Sequence, residues 1–212
     1  MPNLLDMSPH FKKYHLGCGM RFIPDFLNID NFNNLAPDTL YQDPLGQTGA
    51  FLFNQDLVRG IPAADGSLEV VYHSHLLEHL THAEAIPFIA ECFRVLQPGG
   101  LLRIVVPDLK KWAQHYLSDD TFFVDEYRRA VLADDRVKYP TKGSVFMGML
   151  HNHGHKMGYD FETLGGMLTV AGFNDVHQTL FQDSPLDNIA QAEPYEAIRV
   201  MESLCVEGRK PD

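Results

Sequence analysis

The stretch KKYHLGCGMRFIPDFLNID, Lys12 to Asp30, decides how the rest of the chain is read. Lys12–Leu16 is a first strand candidate, ended by Gly17-Cys18-Gly19. A second run, Phe26–Asp30, is bounded by Pro24-Asp25 and by Asn31. Only about six residues lie between Gly19 and that second strand, too few for a crossover helix of about ten. Glycines at a strand's end let the backbone approach a ligand closely, although a G-x-G alone also suits a plain tight turn. Asp30 adds a second signal: a carboxylate closing the neighbouring strand can accept both ribose hydroxyls of an adenosine. Against a dinucleotide, Arg21-Phe22 stands where a third glycine is needed, and Asp30 follows Gly17 by less than the usual ~20 residues. Without a helix N-terminus after the loop, a pyrophosphate has no holder. A nucleoside lacking phosphates fits better.

Working outward, apolar strand-length runs alternate with longer helical patterns, which predicts parallel βαβ units. A third strand is expected near Ala50–Phe53 and a fourth over Ser67–Ser74, after Ala64-Asp65-Gly66. A helix from about Ala83 to Leu96 comes next, with Pro87 in its first turns and Pro98-Gly99-Gly100 as its stop. Leu101–Val106 is the fifth strand. Residues 108 to about 138 read as helical, and Gly143–Tyr159, rich in Gly, Met and His, fits no clear pattern. Asp160 then caps a helix to about Val170, and two strands close the chain, Asp175–Phe181 and roughly Ser203–Glu207. The expected fold class is α/β: a Rossmann-like doubly wound sheet of about seven strands, mostly parallel, with an antiparallel edge strand. No repeat or linker divides residues 1–212, so one domain is expected.

The formal net charge is −11, and the 17 Lys and Arg are scattered. That argues against nucleic acid and against an anionic membrane surface as partners. Met1–Tyr14 lacks the apolar core of a secretory leader, and the apolar runs are too short to span a bilayer. Cys18, Cys92 and Cys205 have no C-x-x-C spacing and read as free thiols, so a cytoplasmic location is expected.

Several ordered pieces resemble the class I S-adenosylmethionine-dependent methyltransferases, especially the type 11-like group and its short-looped bacterial subset. His15-Leu16-Gly17-Cys18-Gly19 is similar to that family's first motif, and Phe26-Leu27-Asn28-Ile29-Asp30 to its second strand with the ribose-binding acid. Asp56-Leu57, followed by Ile61-Pro62 and Asp65-Gly66-Ser67, resembles the loop whose acid reaches the adenine amino group. Val70 to Leu80 resembles the fourth strand and the helix after it, and Phe93 to Leu102 the post-helix motif. The resemblance implies S-adenosyl-L-methionine as cofactor, bound by His15, Gly17, Cys18, Gly19, Asp30, Asp56, Leu57, Ser74 and His75. It implies methyl transfer to a small-molecule or saccharide acceptor, with oxygen the expected acceptor atom. One departure is that His15 stands where the family often has an acid for the methionine amino group.

Other residues carry two readings. Cys18 could pass for a nucleophile, but displacement at a sulfonium methyl needs no covalent enzyme intermediate, so loop packing accounts for it better. Glu78 and His79 follow His75 by three and four residues; Glu78 can cap or pair, and His79 can pack or serve as a general base. His151, His153 and His155 form H-x-H-x-H, but Gly154 interrupts the run and no neighbouring acid completes a ligand set, so no metal is expected. His155 can instead face a substrate hydroxyl from a loop, or lie on the surface. Met147, Met149 and Met157 read as adaptable packing, and Arg199, Glu202 and Lys210 as serving fold and solubility. Residues of about 110–159 lie outside the cofactor motifs and are where a substrate-side lid is expected. Two rivals stay open: a dinucleotide-dependent oxidoreductase, and a noncatalytic S-adenosylmethionine-binding protein.

Overall fold

The computed structural model describes residues 11–42, 46, 49–187 and 189–212. Met1–Tyr14, the stretch read for a secretory leader, falls largely on residues 1–10, outside the described residues. In chain order the elements are β1 (Lys13–Leu16), β2 (Leu27–Asp30), β3 (Thr39–Gln42), β4 (Phe51–Asn54), β5 (Leu68–Ser74), α1 (His82–Val95) and β6 (Leu96–Pro107). After β6 come α2 (Leu109–Leu117), α3 (Phe122–Val131), α4 (Lys142–His151), α5 (Phe161–Val170), β7 (Asn174–Thr179), α6 (Ile189–Ala192), α7 (Ala197–Glu202) and β8 (Ser203–Arg209).

The strands form one eight-stranded sheet in the order β3-β4-β2-β1-β5-β6-β8-β7. The chain builds outward from β1 through β2 to β4, then crosses back to place β5 on the other side of β1. That reversal puts a crevice beyond the carboxyl ends of β1 and β5, at Leu16 and Ser74. Leu101 to Pro107 of β6 is buried without alternation, as a strand covered on both faces requires. The eighth strand, β3, was not legible: four partly exposed residues pair antiparallel with β4 at the sheet's edge, without an apolar run. At the other flank β8 runs antiparallel between β6 and β7 rather than forming a tight hairpin.

Local chemistry explains most boundaries. Thr81 and Glu84 make a reciprocal capping box at the start of α1, and Ala85, Phe88, Ile89, Cys92 and Val95 bury one face of it. The stretch read as helical over 108 to about 138 holds two helices, because the side chains of Ser118 and Asp120 accept from backbone N–H groups and restart the chain at Phe122. The unassigned segment after Gly143 opens as α4, capped by Thr141 and Ser144. α2, α3 and α4 pack around their own buried cluster, with Trp112 edge-on to Phe123 and Tyr127. No helix among the described residues is long and apolar enough to cross a membrane.

His73, inside β5, is fully buried, packs edge-on to Phe88, and has no hydrogen-bond partner on either ring nitrogen. Burial lowers its pKa from 6.5 to about 3, and burial likewise lowers His15 to about 4. Above pH 6.5 neither state binds these protons. As pH falls below that value the unfolded chain takes up protons that the native state refuses, so stability declines until the folded pKa is passed. Each histidine contributes a slope of about 1.4 kcal/mol per pH unit in that window. His73→Leu should therefore flatten the pH dependence of urea unfolding between pH 6 and pH 4 by about one histidine's worth, while costing little at pH 7. An unchanged slope in the variant would refute this account.

Candidate active site

The loop after β1 is pinned to the end of β2. Gly17 and Cys18 N–H groups donate to the Ile29 carbonyl at 2.8 and 3.2 Å. The Gly19 N–H donates to Asp30 Oδ2 at 2.6 Å, and the Asn31 N–H to Asp30 Oδ1 at 2.7 Å. Gly17 sits at φ +64°, and a Cβ there would meet Leu76 at 2.7–3.0 Å, so both backbone and space demand glycine. Between Gly19 and β2 the chain makes turns and no helix. Cys18 is buried, and burial followed by the Asp30 charge pushes its thiol up, which leaves it inert as a nucleophile.

Three cavities run along this edge of the sheet. The first, about 280 Å³, is lined by Asp30, Asp56, Leu57, Leu76, Pro87 and Phe88 among others. Asp56 caps the 3-10 turn Leu57–Arg59 by accepting from the Val58 N–H at 3.0 Å. The second, about 230 Å³, is lined by His15, Gly17, Cys18, Gly19, Arg21, Ser74, His75, Glu193 and Arg199. The third, about 480 Å³, is lined by His75, His79, Tyr127, His153, His155, Arg199 and Glu202. Every expected site residue thus lines one of the three. Cofactor candidates fall in the first two, with His75 reaching into the third, and His79 and His155 fall in the third.

In the second cavity, His15 Nδ1 lies 3.0 Å from Asn28 Oδ1, which also accepts from the Ile23 N–H. An amide oxygen only accepts, so Nδ1 carries the proton and Nε2 keeps a lone pair. Burial holds the ring neutral. In the third, His155 Nδ1 lies 2.6 Å from the Met149 carbonyl, which fixes the same tautomer, and its ring stands edge-on to His79 at 4.9 Å. Burial, only partly offset by the Met149 contact, lowers the His155 pKa. The segment carrying it is tied down: the Lys156 and Met157 N–H groups donate to the Glu78 carbonyl at 2.7 and 3.2 Å.

His75 occupies the left-handed region at φ +52°, a conformation that costs a non-glycine residue energy. Its Nδ1 lies 3.0 Å from Glu78 Oε1, so Glu78 pairs, as one reading of the sequence had it. Glu78 is almost wholly buried. Burial pushes its carboxyl up, but the contact with the His75 ring, helped by a backbone hydrogen bond, outweighs that and holds it below the ordinary range. Glu202 is different: burial raises it to about 7, more than the nearby Arg199 lowers it. Arg199 and Glu202, read from the sequence as serving fold and solubility, are both cavity walls. So are Arg21 and Glu193 in the second cavity. No sequence signal marks these four, because they reach the site from a loop and from the short α6–α7 region through long-range packing.

Comparison with known proteins bears on the fold and on the middle of the chain. Residues 33–104 match the family model described as "Methyltransferase domain". That segment covers β3 to the middle of β6 and begins after the glycine loop. Over 48 residues the chain is 40% identical to a probable S-adenosylmethionine-dependent methyltransferase of Mycolicibacterium smegmatis, a match covering 23% of this chain and 18% of that protein. The chain therefore spans under a fifth of the length of that curated relative. Among solved structures it is similar to a SAM-dependent methyltransferase from Archaeoglobus fulgidus, with TM-score 0.54 and 16% identity, over 98% of this chain and 91% of that one. Human N-acetylserotonin methyltransferase in complex with SAM matches at TM-score 0.53 and 12% identity, over 98% of this chain and 49% of that one. The matched segment is thus similar to a methyltransferase domain, and the sheet has the fold of solved S-adenosylmethionine-dependent methyltransferases.

Proposed function

We propose that this chain transfers a methyl group from S-adenosylmethionine to a hydroxyl of a small-molecule or saccharide acceptor. The observation that carries the reading is that His75 and Arg199 line both the second and the third cavity, so donor and acceptor share one wall. Asp30 and Asp56 would hold the adenosine in the first cavity. The neutral His15 would accept from the methionine ammonium, in place of the family's usual acid, and Arg21 or Arg199 would face its carboxylate. The acceptor oxygen forms the new C–O bond as the C–S bond breaks, its electron pair staying on sulfur. His155 Nε2 takes the hydroxyl proton, with His79 beside it as the alternative base. Most of the acceleration comes from holding the two reactants in line and excluding water. Residues of about 110–159, with their own packed cluster above the third cavity, serve as the acceptor-side lid of a single domain.

The test is transfer from methyl-labelled S-adenosylmethionine to separate panels of saccharides, small alcohols and phenols, and amines. Label is expected on a hydroxyl compound, with His155→Gln lowering kcat by roughly 100-fold or more. Label appearing only on amines, or wild-type turnover in both His155→Gln and His79→Gln, would defeat the reading.

A further inference from the structure

The sequence offers H-x-H-x-H without an acid, and the fold supplies the acid. Glu78, His79 and His155 place one ligand atom each within 4.8 Å of one another, Glu78 buried and the two histidines half-buried. Neither Glu78 carboxylate oxygen makes a well-aligned side-chain hydrogen bond, and His75 Nδ1 lies 3.0 Å from Oε1. A buried carboxylate with acceptor capacity to spare is favoured by a further positive partner. His155 donates its Nδ1 proton to the Met149 carbonyl, the arrangement that orients a metal-ligating histidine and turns Nε2 outward as a lone pair. The third cavity opens beside both histidines, leaving room for further ligands.

We propose that Glu78, His79 and His155 bind a divalent first-row transition-metal ion at the wall of the third cavity. Two imidazoles and one carboxylate with open positions are a donor set for such ions rather than for Mg²⁺ or Ca²⁺, which prefer oxygen. Bonds of about 2.0–2.2 Å require ligand atoms roughly 3.0–3.5 Å apart, so side-chain rotations of about an ångström complete the site. The sequence pattern points elsewhere, to His151 and His153. His153 lines the cavity but falls outside the three-residue set. With the ion bound, His155 and His79 act as ligands rather than as the base, and the ion would instead acidify an acceptor hydroxyl, a role that rests on the proposed methyl transfer. The binding does not rest on it.

The two are therefore separable by titrating the metal-free protein with Zn²⁺ by calorimetry, and with Co²⁺ by visible absorption, with neither donor nor acceptor present. One equivalent is expected to bind, with a Co²⁺ ligand-field spectrum. Glu78→Gln and His155→Gln should each weaken it roughly 100-fold or more, beyond what loss of an outer partner costs. His153→Gln should stay within about threefold, and circular dichroism should show all three variants folded. Should Glu78→Gln fail to fold, His79→Asn serves with His155→Gln. Absence of stoichiometric binding overturns the proposal. So does an equal loss in His153→Gln, which would mark simple chelation by the H-x-H-x-H run.

Discussion

Arg103→Met should destabilise the protein by about 3–5 kcal/mol, the cost of stripping a buried cation from its partners. Arg103 is fully buried in β6. Its Nε and Nη2 donate to the two oxygens of Glu193 at 2.6 and 2.8 Å, and its Nη1 to Glu207 at 3.0 Å and Thr179 Oγ1 at 2.8 Å. The carbonyls of Asp183 and Leu180 take the remaining contacts. One guanidinium therefore joins β6, β7, β8, the loop after β7 and the residue following α6. Methionine fills the space but leaves Glu193 and Glu207 buried, both anionic or one forced to protonate. Against a typical total stability of about 5–15 kcal/mol that is a large fraction. Thermal unfolding should shift down by about 10 °C. The variant that also carries Glu193→Leu and Glu207→Leu should recover most of the loss, since apolar replacements of a buried ion cluster are often neutral. A single-variant cost below about 1 kcal/mol, measured by urea unfolding, would show that the network contributes little. Because Glu193 also lines the second cavity, donor binding should weaken together with stability.

How much could be read from the sequence depends on how far each feature reaches along the chain. The pairing of Gly17–Gly19 with Asp30 is local, a strand, a turn and a strand within one short stretch, so spacing and residue type were enough. Asp160 as the cap of α5 was legible for the same reason, its side chain accepting from the Thr163 N–H three residues on. β3 was not legible, because a short edge strand held mainly by its pairing to β4 needs no apolar alternation. The role of Arg103 was not legible, since its carboxylate partners lie some 90 and 104 residues away. The histidine run after α4 was set aside for want of an acid, and Glu78 reaches it only because the backbone of Lys156 and Met157 docks on the turn after β5. Motifs that sit on the loop–strand frame were readable; walls assembled by packing were not.

Asp30→Ala should weaken S-adenosylhomocysteine binding by about 3 kcal/mol, roughly 150-fold, through two losses that a second substitution can separate. The carboxylate already accepts one backbone N–H on each oxygen, from Gly19 and from Asn31. An ionised carboxylate has about four lone-pair sites, so about two remain for the ribose hydroxyls. Each charge-assisted bond to a hydroxyl contributes about 1.5–3 kcal/mol, and alanine removes both along with the anchor of the glycine loop. Asp30→Asn keeps the shape and one acceptor oxygen, so the loop can stay pinned while one ribose contact loses its charge and the other its acceptor. Its affinity should fall between those of the wild type and the alanine variant. Calorimetric titration decides the matter, with thermal unfolding of each variant as the control for loop collapse. If both variants bind S-adenosylhomocysteine as the wild type does, Asp30 only staples the loop and the nucleoside lies elsewhere. If alanine and asparagine lose equally while remaining folded, the negative charge rather than the loop geometry holds the ribose.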